Sequence, residues 1–247
     1  MHAIILAAGR GSRLKHLTEK KPKSFIKFRK KRYIDIIIDN FYKNNIRNIN
    51  IIVGYKKNLF KNFKNNKIYN SKWKSTNILY SLNKANKILN SQTCLISYSD
   101  IIYHSDAIKL LIEEEGDIVI LNNLNWRATW KLRFKEPLND LENFSYVLKD
   151  KTKFLTNIGG RAKKISSIKG QFAGLFKITP IGWKIIADFI KLNKINIDNI
   201  DITSFFSKFL KEKKNIIKVV DYSKHWFEID SLEDMKKYMI YEKNTKF

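Results

Sequence analysis

A chain of 247 residues with 44% hydrophobic and 13% aromatic content has enough apolar material for one large or two small folded domains and is not a disordered polymer. Its formal net charge of +25 would ordinarily point to nucleic acid or an anionic membrane. Only eight of the 48 basic residues are Arg, however, and the Lys fall on every segment beside abundant Asn and Ile; AT-rich codons produce that bias without a nucleic-acid face.

The first element is "HAIILAA", an apolar run stopped by glycine, which reads as a buried strand. A basic, glycine-containing turn follows. "YIDIIIDNFYKNNI" has helical spacing, and "NINIIVGY" is a second buried strand. "TNILYSLNKANKIL" places Ile78, Leu79, Leu82, Ala85 and Leu89 on one helical stripe. "TCLISYSD" is a third strand ending at Asp100. Its Cys94 is the single cysteine, which fits buried packing and a cytosolic compartment. "DAIKLLIEEE" is a helix and "GDIVILNN" a fourth strand. This alternation argues for one α/β domain over residues 1–247, with a mixed, mainly parallel sheet.

After Asn122 the pattern becomes shorter and more polar, through "WRATWKLRFKEPLNDLENFSYVLKD" and "KFLTNIGGRAKKIS". A small lobe over roughly 122–179 is expected there. "GQFAGLFKIT" reads as a strand and "PIGWKIIADFIKL" as a helix opening at proline. "DITSFFSKFLKEK" is a helix, "IIKVVDY" a strand and "SLEDMKKYMIYEK" a terminal helix. No apolar stretch approaches the roughly 18 residues of a membrane helix, and "MHAIILAAGR" does not read as a signal peptide.

The turn after the first strand carries the chemistry. A P-loop would need GxxxxGK[ST], which is absent. A dinucleotide fingerprint needs GxGxxG, but Leu14 stands where the third glycine would be. What remains is LAAGxGSRLxxLTxxxPKxxxxF. Gly9 and Gly11 let backbone N–H groups approach phosphate oxygens. Arg13 offers a planar fork for two such oxygens, and Lys23, stiffened by Pro22, a compact charge.

On Gly9, Gly11, Arg13, Leu17, Thr18, Pro22 and Lys23 the sequence resembles the nucleotidyltransferase family that makes nucleotide-activated sugars and alcohols. The resemblance implies a Rossmann-like three-layer α/β/α fold. It implies that the loop wraps a triphosphate, that Arg13 binds phosphate and that Lys23 stabilises charge at the reacting phosphorus. The nucleotide site it implies comprises Leu6, Ala7, Ala8, Gly9, Gly11, Ser12, Arg13, Lys23 and Ser99, with Ser75, Thr76 and Asn77. For those last three, plain helix N-capping is an equally good reading.

Chemistry on a nucleoside triphosphate needs a divalent cation and hard oxygen ligands. Asp100 ends a strand, and Asp230 follows the late strand in "HWFEID". Either could be a helix cap; the resemblance makes them the metal ligands, with Mg²⁺ as cofactor. Glu228 is a further candidate for metal or acceptor contacts. His2, His16, His104 and His225 lack metal-ligand spacing.

Trp126, Arg127, Trp130, Arg133, Asp140 and Glu142 crowd one stretch. Lobe core with solvated charges is the competing reading for each. Together they suit a small zwitterionic acceptor: choline wants an aromatic cage and an acid, an amino-acid-like group an Arg and an acid. The chain looks most like the cytidylyltransferases of bacterial surface-polymer modification, with phosphocholine, aminoethylphosphonate and phosphoglutamine branches. "ISYSDIIYHSDAI", "WRATWKLRFKEPLND", "QFAGLFKI", "ITSFF" and "HWFEID" look nearest to the phosphoglutamine branch, which serves capsule phosphoramidate. This implies transfer of CMP from CTP to a small phosphorylated acceptor, with pyrophosphate released. The implied acceptor site is Trp126, Arg127, Trp130, Arg133, Glu142, Lys177 and Glu228, though Lys177 is equally a snorkelling lysine. A sugar-1-phosphate nucleotidyltransferase using UTP, dTTP or GTP is the alternative. The scattered Lys argue against a nucleic-acid-binding protein, and Leu14 against a dinucleotide-dependent oxidoreductase.

Overall fold

The apolar runs that open the chain become the middle of a nine-stranded sheet. The computed structural model describes residues 1–28 and 30–243. Its strands are β1 (His2–Ala7), β2 (Lys27–Phe28), β3 (Lys31–Arg32), β4 (Ile49–Val53), β5 (Asn66–Tyr69), β6 (Cys94–Tyr98), β7 (Ile101–Tyr103), β8 (Ile118–Asn123), β9 (Glu142–Lys149), β10 (Thr152–Arg161), β11 (Gln171–Ile178), β12 (Ile217–Tyr222) and β13 (Trp226–Glu228). The helices are α1 (Tyr33–Lys43), α2 (Ile78–Asn83), α3 (Asn86–Leu89), α4 (Asp106–Glu113), α5 (Trp126–Arg133), α6 (Pro180–Leu192), α7 (Ile202–Glu212) and α8 (Leu232–Lys243).

The order across the sheet is β5-β4-β1-β6-β11-β8-β12-β10-β9. β5, β4, β1 and β6 are mutually parallel, as are β8 and β12. β11 runs antiparallel between β6 and β8, so those two share one direction. β10 is antiparallel to β12 and β9 to β10, so seven of the nine strands point the same way, and the expected α/β architecture with a mixed, mainly parallel sheet is present. The continuous apolar runs of β1, β4 and β8 follow from burial on both faces. Cys94 is buried in β6, where burial pushes its thiol up to about 12.

The stretch 122–179 supplies β9, β10 and β11 to this same sheet. β10 joins β12 through the Phe154–Lys218 pair and carries β9 as the outer strand of an irregular hairpin. Within it, "WRATWKLR" is the helix α5, not the polar alternation expected: Trp126 and Trp130 stand four apart, share a face and are buried. The run expected as one helix over "TNILYSLNKANKIL" breaks at Lys84 and Ala85. Their N–H groups donate to Ser81 and Leu82 carbonyls in tight three-residue turns, while Leu79, Leu82, Ala85 and Leu89 stay buried.

A second apolar cluster lies beside the main core: Leu14, Ile26, Phe28, Tyr33, Ile102, Phe227, Ile229 and Tyr238. It ties the opening loop to α1, β7, β13 and α8. Leu14, at the position a dinucleotide fingerprint gives to glycine, is fully buried there. Leu14→Ala should cost about 3 kcal/mol in urea unfolding, whereas Leu192→Ala, at a side chain 79% exposed, should stay within about 0.5 kcal/mol.

Candidate active site

The loop after β1 is shaped by a few backbone requirements. Gly11 adopts φ 75° and ψ 53°, a left-handed conformation that glycine meets without strain. A Cβ there would stand 2.6 Å from Lys23 Cβ, so this glycine also makes room for the lysine stem. Lys23 N–H donates to the Arg10 carbonyl at 3.2 Å, and buried Thr18 Oγ1 donates to the Gly11 carbonyl at 3.1 Å. A Cβ on Gly9 would meet nothing within 4 Å; its backbone borders open space.

Three carboxylates converge on this loop. Asp100 lies between β6 and β7, Glu228 ends β13, and Asp230 precedes α8. One oxygen from each lies within 4.8 Å of the others. β13 pairs with β7 through Glu228–Ile101, which is why residues 128 apart meet. Lys23 Nζ donates to Asp100 Oδ2 at 2.8 Å and also to Asp230 Oδ1. Arg13 pairs with Asp230 Oδ1 at 3.1 Å from the solvent side.

Two of the trio, Glu228 and Asp230, are held from behind by Arg133, whose side chain is 1% exposed. Its guanidinium donates to Asp234 at 3.1 Å, Glu228 at 3.3 Å and Asp230 at 3.2 Å. Asp234 in turn accepts from the N–H groups of Asp230 and Ser231 and from Ser231 Oγ. Burial alone would lower the Lys23 pKa, but Asp100, Asp230 and Glu228 outweigh it, and the ammonium is held charged. Burial alone would raise Asp230; the Lys23 charge and hydrogen bond, with Arg13 and Arg133, bring it below its ordinary value. Glu228 goes the other way: burial, then the charges of Asp230 and Asp100, push it from 4.5 up to about 8.

Two cavities meet over these carboxylates. The first, about 400 Å³, is lined by Leu6, Ala8, Gly9, Gly11, Arg13, Lys23, Thr76, Asn77, Ser99 and Asp100 among the expected residues. Trp73, Ile78, Ser81 and Tyr98 complete it without having been anticipated. The second, about 360 Å³, includes the expected Trp130, Glu142 and Glu228, together with Asp140, Arg161, Gln171, Phe172, Asp201, Thr203 and Trp226. Arg13, Tyr98, Glu228 and Asp230 border both.

Several expected residues stand elsewhere. Ala7, Ser12 and Ser75 border neither cavity. Of the three residues read as capping candidates, Asn77 alone caps α2, its Oδ1 accepting from Ile78 N–H at 2.7 Å; the Ser75 and Thr76 hydroxyls instead donate back to the Lys72 carbonyl. Trp126 is 2% exposed in the main core, with the Arg127 guanidinium 4.4 Å from its ring. Lys177 is buried in β11 and donates to the Glu114 carbonyl, away from both cavities. Arg133 borders neither cavity: its contacts are the carboxylates. Trp226 and Tyr98 carried no sequence signal beyond being aromatic at strand ends. Asp234, four residues after Asp230, was not anticipated.

The donor set fits a hard divalent cation: three carboxylates close together, with Asp100 Oδ1 buried and lacking a hydrogen-bond partner among the described residues. Family comparison agrees with the geometry. A model described as nucleotidyl transferase matches residues 2–128, and the chain belongs to that family. It is therefore an enzyme, a nucleotidyltransferase, a class that generally uses a divalent metal. The chain is 32% identical over 254 residues to CTP:phosphoglutamine cytidylyltransferase of Campylobacter jejuni, covering 96% of this chain and 98% of that protein. It is 40% identical over 86 residues to choline-phosphate cytidylyltransferase of Streptococcus pneumoniae, covering 33% and 38%. In fold it is similar to the inositol-1-phosphate CTP transferase of T. maritima, with TM-score 0.71, 22% identity and 96% and 95% of the chains covered. The CTP:phosphocholine cytidylyltransferase structure from S. pneumoniae gives TM-score 0.69, 21% identity and 97% and 98% covered. Among the described residues, no helix is long and apolar enough to cross a membrane.

Two measurements probe this charge arrangement. Arg133→Met removes the cation shared by three carboxylates and should cost about 3–5 kcal/mol in urea unfolding at pH 7; part of the loss should return at pH 5 as carboxyls protonate. Glu228 has its folded pKa raised above its unfolded value. The folded state thus binds more protons between about pH 4.5 and 8. Its protonation supports the metal-free fold at low pH, and that support is lost as pH rises through 8. Glu228→Gln should flatten this slope and raise stability more at pH 9 than at pH 5, read from unfolding midpoints in chelator.

Proposed function

We propose that this nucleotidyltransferase is a cytidylyltransferase that transfers CMP from CTP to a small phosphorylated acceptor that also carries an ammonium group, with release of pyrophosphate. The observation that carries the reading is the pair of cavities that share Glu228 and Asp230, one beside the Gly9–Gly11 loop and Asp100 and the other lined by acids and aromatics. Near-full-length identity to a CTP-dependent relative supports the choice of CTP. The acceptors of the relatives, phosphoglutamine and choline phosphate, support a phosphorylated acceptor bearing a cation; aminoethylphosphonate has the same character.

In this reading the nucleotide lies in the first cavity, where the open backbone at Gly9 allows close approach of phosphate oxygens. The acceptor lies in the second, its phosphate end towards Arg13. An already ionised acceptor oxygen forms a bond to the α-phosphorus as the bond from that phosphorus to the bridging oxygen of pyrophosphate breaks. The leaving group departs in line with both electrons, so no protein base and no covalent intermediate are needed. Arg13 and Lys23 act by position and charge, stabilising negative charge on the phosphates. A Mg²⁺ ion held by Asp100 and Asp230, with Glu228 beside them, would offset phosphate charge. Arg133 keeps Asp230 and Glu228 in place, and Lys23 bonds Asp100. Trp130 and Glu142 serve the acceptor's cationic end. The enzyme is assigned to the cytoplasm, and its product to the modification of a surface polymer such as capsule.

A pyrophosphate-release assay with Mg²⁺, each nucleoside triphosphate and phosphoglutamine, phosphocholine and aminoethylphosphonate tests this. Release with CTP and at least one acceptor is expected. Asp100→Asn and Lys23→Met should each lower kcat/KM by roughly 10²–10³-fold with circular dichroism unchanged. No release with CTP and any of the three acceptors would overturn the assignment.

A further inference from the structure

The second cavity holds groups that phosphate chemistry does not use. Away from Glu228 and Asp230 it is lined by Asp140, Glu142 and Asp201, and Arg161 is the basic side chain at that end. Their existing partners separate their roles. Asp201 is committed to the start of α7: it accepts from Ser204 N–H at 2.7 Å, Ser204 Oγ at 2.8 Å and Thr203 Oγ1 at 3.0 Å. Asp140 accepts from Trp130 Nε1 at 3.0 Å and pairs with Arg161 at 3.5 Å. Among the described residues, the Glu142 carboxylate has only a marginal bond, from Thr203 Oγ1 at 3.5 Å. Burial, then the charges of Asp201 and Asp140, raise its pKa, against the Thr203 bond and Arg161. Among the described residues its carboxylate has no ion pair, although Arg161 stands nearby.

Arg161 is the complement. Its side chain is 61% exposed and its one ion pair, with Asp140, is long. A guanidinium has five donors in a planar fork suited to a carboxylate. Arg161 and Glu142 are opposite partners at the end of the β9–β10 hairpin, so an anion-reading and a cation-reading group stand side by side. The aromatic wall is rigid: Trp130 and Trp226 stack at 5.8 Å and 3°, and Trp226 Nε1 is bound to the Ala173 carbonyl at 2.8 Å.

We propose that this end of the cavity reads a zwitterion, Glu142 taking the acceptor's ammonium and Arg161 its carboxylate, so that the acceptor is a phosphorylated α-amino acid. This rests on the cytidylyltransferase reading for the phosphate end. Asp140 occupies Arg161 until the acceptor carboxylate replaces it. A phosphorylated choline would leave Arg161 without use, and a phosphorylated sugar would meet three acids with no charge to match. The volume, about 360 Å³, suits a small ligand.

The test compares kcat/KM for phosphoglutamine with that for phosphocholine, which has the cation but no carboxylate. Arg161→Gln should lower the ratio roughly ten- to hundredfold, the size of one lost charge-assisted hydrogen bond, through the KM for phosphoglutamine and not that for CTP. Asp140→Asn still offers an oxygen to Trp130 but competes less for Arg161, and should raise the ratio. Glu142→Gln should weaken both acceptors together. An unchanged ratio in Arg161→Gln, or a wild type that favours phosphocholine, would overturn the proposal. Should wild type release no pyrophosphate from CTP, the transfer reading fails, and calorimetric binding of phosphoglutamine decides this one separately: binding weakened in Arg161→Gln upholds it, and absent or equal binding overturns it.

Discussion

The architecture of this site depends on one buried guanidinium. Glu228, Asp230 and Asp234 are brought together by β13 and the start of α8, and like charges at such distances repel strongly in a poorly solvated place. Arg133 bonds all three with a side chain 1% exposed. Its position follows from α5, whose Trp126 and Trp130 are buried. The acid cluster is therefore stable only with that helix folded beneath it. Lys23 performs the matching task on the open side, bridging Asp100 and Asp230.

That arrangement splits the carboxylates electrostatically. Asp230, touched by Lys23, Arg13 and Arg133, is held below its ordinary pKa, while Glu228 is raised to about 8 by burial and by its acidic neighbours. Asp230 and Glu228 thus differ in charge near neutral pH, which lets the protein hold them close to each other and to Asp100 at lower cost. A hard cation bound there would favour the ionised form of all three.

The sheet places this cluster. β1 and β6 end side by side, and the loops following them carry Gly9, Gly11 and Asp100, as expected at the carboxyl edge of a parallel sheet. β11 enters against that direction, and its bulge at Gly174, with φ 70°, sets Phe172 against Tyr98 in the wall of the second cavity. The second cavity is rich in acid on a chain whose net charge is +25. Local sign, set by which loops converge, thus opposes the overall balance.

The elements with strong periodicity were legible in sequence: β1, β4, β6, β8, α1, α4, α6 and α7 all follow from apolar runs or stripes. So were Gly9, Gly11, Arg13 and Lys23, because the loop spacing is local; Asp100 and Asp230 were singled out by the family resemblance, since residue type and position alone fitted a helix cap equally well. α5 was not, since its short amphipathic turn is diluted by Arg and Lys and its burial comes from distant partners. Trp126 and Lys177 looked like ligand-facing groups only because sequence shows residue type and not the side of the sheet or helix on which it falls. Arg133 was noticed for its charge, but whether it meets an acceptor or three carboxylates depends on where β13 and α8 run. Arg161 and Asp140 meet across the β9–β10 hairpin and the turn before it, a pairing fixed by hairpin register. By itself, the sequence determined the fold class and the glycine-containing turn after β1, because both rest on interactions between near neighbours in the chain. Only the tertiary structure decided which charges confront one another, because that depends on strand order and crossings that bring together residues a hundred positions apart.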